Sequence, residues 1–280
     1  MRFAATLLLG LAASLAGVVL AQAAEPTIPN FWDARERLPK PDLIELERLR
    51  FLTTTDFPPF NFLDAGGRLT GFNVDLARAI CTELGIVERC QIQALPWEEL
   101  EGALVRGEGE AIIAGLSISA DTRQRLSFSR PYMRFPARFI VQKNSDMAEP
   151  IHAAASEKRI GVMAGSGHEQ MLRDYFPGAR TITYSRAGWL HDDLREGKID
   201  GAFGDGMQFS FWLAGSDAAG CCRFAGGPYL APEYLGHGTA IAAPLDDETL
   251  VRAFDYALGQ IHAKGVFAEL YLRYFPVSFF

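Results

Sequence analysis

Arg159-Ile160-Gly161-Val162-Met163, then Ala164-Gly165-Ser166-Gly167, then His168-Glu169-Gln170-Met171-Leu172 is the stretch that decides the fold. A short apolar run, a glycine turn and a segment with apolar residues at helical spacing make one strand, turn and helix. The unit recurs on both sides. Strand 159–163 and helix 168–176 are followed by strand 181–184, helix 187–196, strand 200–204 and helix 206–214. Upstream lie strand 50–54, helix 73–84, strand 91–95, helix 97–106, strand 111–115 and an extended segment 137–142. Two further helices, 246–263 and 265–274, are broken at Gly265 and stopped by Pro276.

Strand and helix alternating twice over predict an α/β protein of two lobes with mostly parallel sheets. A chain that leaves the first lobe near 137–142 and returns near 226–242 crosses twice between them. Such connectivity places a cleft at the junction, where α/β proteins bind small ligands. The expected division is 49–138 with 228–280 for lobe 1 and 139–227 for lobe 2, preceded by an arm, 24–48, rich in proline and charge. The arm's Phe31-Trp32 pair is expected on the surface of the body.

Of the 280 residues 49% are hydrophobic and 22% charged, a globular composition. A net charge of -7 leaves no broad basic face for a phosphate backbone, so no nucleic-acid partner is expected. Residues 1–23 read as a signal peptide: Arg2, an apolar run from Phe3 to Leu20, and small residues around Ala21 and Ala23. Cleavage after Ala23 is expected. The competing reading is an uncleaved anchor, since the run nearly reaches the roughly 20 residues that span a bilayer.

Export permits disulfides. Cys81 lies late in helix 73–84 and Cys90 opens the next strand, so a bridge would close one short turn. Cys221 and Cys222 are adjacent, and read as two packed thiols or a vicinal disulfide rather than a metal site.

Catalytic motifs fail. After His168-Glu169, Leu172 stands where a zinc protease needs its second histidine, and Gly115-Leu116-Ser117-Ile118-Ser119 lacks the last glycine of a nucleophile elbow. There is no P-loop lysine, dinucleotide GxGxxG or CxxC, and no cofactor or metal is expected. What remains are polar groups at strand ends. Ser117 and Ser119 lead into a helix start at 120–123, Gly165-Ser166-Gly167-His168 offers amides to an anion, and Asp205 ends the strand 200–204. Together these complement the two charges of a free amino acid. Plainer roles exist for each: a solvated turn at Ser117, an ordinary loop at Gly165–Gly167, a helix cap at Asp205, and core packing for the aromatics Phe57 and Trp97.

Thr54-Thr55-Asp56-Phe57-Pro58-Pro59-Phe60 and Gly71-Phe72-Asn73-Val74-Asp75-Leu76-Ala77 resemble the opening of family 3 bacterial solute-binding proteins, the periplasmic receptors of polar amino-acid ABC importers. Gly115–Ser119 with Phe128-Ser129-Arg130-Pro131-Tyr132 resembles their middle signature, and Gly161-Val162, Gly165-Ser166-Gly167 and Gly197-Lys198-Ile199-Asp200-Gly201-Ala202 before Asp205 resemble their second lobe. The likeness runs over about residues 50–276 and implies a type II periplasmic binding-protein fold that closes on its ligand.

Carried over, the resemblance has Phe57 stacking on the ligand side chain, with Trp97 and Asn73 shaping its pocket. The Gly115 carbonyl, Ser117 and Asp205 would hold the α-ammonium, and the Ser117 and Gly167 amides the α-carboxylate, with Ser166 and His168 beside them. Cys81 and Cys90 resemble a disulfide of some basic-amino-acid receptors. The family's carboxylate-binding arginine falls at Thr122, and Arg123, one residue later, is expected to take its place, while Arg125 faces solvent. Thr54 and Asn73 stand where lysine and arginine receptors carry acids, which points to a polar uncharged or aromatic ligand.

The resemblance implies a monomeric periplasmic receptor that captures a free amino acid and delivers it to an ABC permease, without chemistry of its own. A lyase like the cyclohexadienyl dehydratases, and a sensory lobe docking on a separate receptor, are the alternatives on this fold.

Overall fold

The computed structural model describes residues 27–33 and 35–280; the expected signal peptide and cleavage point lie outside them. Two five-stranded sheets, each with helices packed on it, form the two lobes. The first sheet runs in the order Cys90–Ala94, Leu49–Thr53, Ala111–Ile112, Ala242–Pro244, Leu126–Phe128, and the second Arg180–Tyr184, Arg159–Met163, Gly201–Asp205, Ala137–Gln142, Cys222–Tyr229. In each, three strands are parallel and the fourth is reversed. The reversed strand is the one that arrives from the other lobe. Parallel strands end at the cleft, so a strand that enters from across it has to begin there and run the opposite way.

A three-stranded sheet of Asp56–Phe57, Asn61–Leu63 and Leu69–Thr70 was not visible as alternation, because its strands are two or three residues long. The expected helix 97–106 is a 3-10 turn, Trp97–Glu99, leading into a short α-helix, Leu100–Val105. The helix expected from residue 120 is one 3-10 turn, Thr122–Gln124.

The helix Phe72–Leu84 buries Val74, Leu76, Ala77, Ile80 and Leu84, at the i, i+3, i+4 spacing of one face, against Glu248–Ala263 and Val266–Tyr274. Phe60 and Phe267 meet Phe72 edge to face and Phe275 lies tilted against Phe60 and Phe72, at centroid separations of 5.6–6.0 Å. The second lobe is built on Phe139, Phe176 and Phe203, with the Phe139 and Phe203 rings 4.7 Å apart.

The arm lies on lobe 1. Phe31 meets Phe280 edge-on and carries Arg134 over its ring, while Trp32 packs on His262 under Arg130, which also pairs with Glu36. Arg48 and Glu110 pair at its end, and Arg89 donates to the Leu43 and Leu46 carbonyls. Cys81 and Cys90 are bridged, with Cα atoms 6.1 Å apart, and Cys221 is bridged to Cys222. Of the two readings of that pair, the vicinal disulfide is the one the structure has.

The Cys81–Cys90 bridge spans nine residues, and its loss should cost about 2–3 kcal/mol by the chain-entropy relation. Replacing both cysteines by alanine should lower the urea midpoint accordingly with an unchanged slope, and peptide mapping without reductant should recover the two segments joined. Free thiols at both positions would contradict the assignment.

Candidate functional site

The polar groups converge on the ends of the parallel strands. In lobe 1, the strand Ala111–Ile112 gives way to Gly115, whose φ of +84° favours glycine, and a Cβ there would sit 2.7 Å from Phe57 Cε1. Absence of that carbon lets the Phe57 ring lie against the loop backbone, where it also stacks on Phe60 at 4.8 Å. Ser117 follows with an exposed side chain, and its carbonyl accepts from Thr122 Oγ1 at 3.2 Å. Ser119 Oγ accepts from the Thr122 amide, so the two hydroxyls lock this turn. Trp97 stands just beyond the strand Cys90–Ala94 with half its surface exposed (51%).

In lobe 2, Ser166 caps the helix Gly167–Tyr175, accepting from the Glu169 amide and donating to the Met163 carbonyl at 2.7 Å. Glu169 reaches back past the cap to accept from the Gly165 amide at 2.8 Å. This leaves the Gly167 and His168 amides unpaired among the described residues. Gly167 is demanded by packing, since a Cβ would lie 2.3 Å from the Tyr234 carbonyl of the returning crossing. Asp205 caps the helix Gly206–Ala214, accepting from the Gln208 amide at 3.0 Å. Ser166, His168 and Asp205 share one cavity of about 150 Å³, lined by second-lobe residues throughout.

Burial raises the Asp205 carboxyl above the usual carboxylate range, against the pull of the Gln208 amide and of His168. Burial likewise lowers the His168 imidazole, partly offset by the Asp205 charge, so the ring is neutral at pH 7. Among the described residues this desolvated acid has no ion-pair partner, an arrangement that favours an incoming ammonium.

Two expected site residues are elsewhere. Asn73 is fully buried: it donates to Asn61 Oδ1 at 2.8 Å and accepts from the Tyr132 hydroxyl at 2.9 Å, while Asn61 donates to Thr54 Oγ1. Its hydrogen bonds hold the floor of the lobe-1 loop together and leave nothing for a ligand. Arg123 lines a surface groove with Leu126, Ser127, Asp246 and Arg252, on a 3-10 turn in which each residue rotates the side chain by about 120°. Arg125 faces solvent as expected, paired with Glu101 and Asp121. Sequence reasoning quoted Tyr132 without giving it a role; its hydroxyl lies beside the Gly115 amide and the Thr239 hydroxyl, and burial keeps it protonated. It also missed Met163, His191 and Gln208, which line the second-lobe cavity. Met163 was findable as the last residue of its strand.

Residues 49–277 match the family of bacterial extracellular solute-binding proteins, family 3, and the chain belongs to it. Among its relatives, the ABC transporter arginine-binding protein 1 of Escherichia coli K12 is 29% identical over 230 residues, 82% of this chain and 91% of that protein. The histidine-binding periplasmic protein of Salmonella typhimurium is 29% identical over 232 residues, 82% of this chain and 88% of that one. The fold is that of the unliganded, open L-cystine receptor of Neisseria gonorrhoeae (TM-score 0.70, 16% identity, 83% and 94% of the two chains). It is also that of an ancestral cyclohexadienyl dehydratase (TM-score 0.67, 22% identity, 83% and 94%).

Because its folded pKa is raised, Asp205 contributes a stability that is complete below the unfolded carboxyl pKa and is lost as the pH rises through the raised value. At pH 7 it is a net cost to the ligand-free fold. Asp205→Asn, which caps a helix equally well, should raise the melting temperature of ligand-free protein at pH 7, and the difference should vanish near pH 3. Equal melting curves at both pH values would place Asp205 in solvent.

Proposed function

We propose that this protein is a periplasmic receptor that captures a free amino acid between its lobes and hands it to an ABC permease, acting as a monomer and without catalysis. The observation that carries the reading is the desolvated Asp205 carboxylate, set among open amides at the strand ends of a family 3 solute-binding protein. The residue roles follow from it. Asp205, the Gly115 carbonyl and Ser117 take the ammonium; the Ser117, Gly167 and His168 amides take the carboxylate; Phe57 packs over the ligand from lobe 1, with Trp97 at the rim. That Arg123 lines a groove beside Leu126 and Arg252 supports a carboxylate that rests on amides alone. The lobes, 49–138 with 228–280 and 139–227, close about their two crossings, and residues 1–23 direct export and are cleaved from the mature chain. The relatives named for arginine and histidine support receptor over enzyme, whereas the dehydratase likeness supports the fold alone.

Calorimetry across the twenty amino acids should find one or a few bound at micromolar affinity or better, about -8 kcal/mol. Scattering should show compaction with the ligand. Arg123→Ala should bind as the unaltered protein does, and Asp205→Asn well over tenfold more weakly, since an unpaired charge is left behind. Turnover of prephenate, or no heat with any amino acid, would overturn the reading.

A further inference from the structure

The cavity that Ser166, His168 and Asp205 share is also lined by the helices Ala187–Arg195 and Gly206–Ala214. Its walls are Met163 and Phe203 at the strand ends, Ala187 and Leu190 on the first helix, and Phe209 on the second. His191 completes the lining, its ring stacked on Trp212 at 4.5 Å. The volume, about 150 Å³, equals that of an engineered apolar cavity that admits benzene. Ser166, His168, Gly204, Asp205 and Gln208 line the same cavity, so the ammonium partner and the apolar walls share one space.

We infer that this cavity receives an aromatic ring, so that the ligand is an aromatic amino acid or arylalkylamine whose ammonium pairs with Asp205. The inference rests on that reading of Asp205. Only two carbons separate the ammonium-bearing nitrogen from the ring in such a solute, so the ring pocket has to open directly beside the acid, and here Asp205 lies in its wall. Phe203 and Phe209 offer ring edges and faces, as do His168 and His191, which burial keeps neutral. A lysine or arginine side chain finds no second carboxylate in the lining, and an unpaired charge there is penalised heavily.

The test compares L-phenylalanine, L-tryptophan, phenethylamine, L-alanine, L-leucine and L-lysine by calorimetry on the full mature chain. Phenylalanine or tryptophan should bind at least tenfold more tightly than alanine, leucine or lysine. Ala187 is exposed on the surface of its helix, so Ala187→Phe should fold, as circular dichroism would verify, and place a ring in the pocket mouth. It should cut the aromatic-to-alanine preference to below twofold; Asp205→Asn should weaken every amine alike. A second variant, Ala187→Leu, should give an intermediate preference. Tighter binding of leucine or lysine, or an Ala187→Phe protein with its preference intact, would overturn the aromatic assignment while leaving the receptor reading in place. Failure of all amines to bind would remove both.

Discussion

Thr239 is the point on which the two halves of the molecule are hung. Its amide donates to the Met133 carbonyl, its own carbonyl accepts from the Tyr132 amide, and it bridges to Ser117. On either side Ala240 donates to Leu116, and Ile241 is bonded to both the amide and the hydroxyl of Ser129. The outgoing and returning crossings are thereby hydrogen-bonded to each other, and the ligand loop Gly115–Ile118 is bonded to the returning one. Rotation of one lobe against the other cannot be separated from the position of that loop. Farther along the same return, the Tyr234 carbonyl sits against Gly167, so the second-lobe turn is referenced to the same strip of backbone.

What the sequence made legible follows from range. Strand and helix periods are local, and so are the strand-end positions of Gly115, Ser117, Gly167 and Asp205, because a strand followed by a glycine turn announces its own end. Asn73 was misread for the opposite reason. It begins a helix as a cleft residue should, yet its partners are Asn61 and Tyr132, 12 and 59 residues away, and only the fold shows that they enclose it. Arg123 failed over a single residue. The turn at Thr122 is held by hydroxyl contacts with Ser117 and Ser119, and no pattern of apolar residues encodes which way the next side chain leaves it.

Asp205 does two jobs that conflict. As a helix cap it needs to be an acceptor, which asparagine would satisfy as well; as an anion among Phe203, Phe209 and a neutral histidine it costs stability until a cation arrives. The conflict is tolerated because the strands behind it are buried on both faces and the cap itself is made to backbone. Stability elsewhere, in the phenylalanine core of lobe 1 and the disulfide beside it, holds the acid where solvent would otherwise relax it.

The arm closes the chain on itself. Its contacts are with Phe280 and Ser278 through Phe31 and Thr27, and with His262 through Trp32. A ribosome makes residues 27–33 early and residues 262–280 more than two hundred positions later. The arm's other partners, Arg89, Glu110, Arg130 and Arg134, lie in the first half of the chain, so the arm is held from both ends of the sequence. The arm therefore ties the two ends of the chain together, and trimming the last residues would strip Phe31 and Thr27 of the partners that seat them.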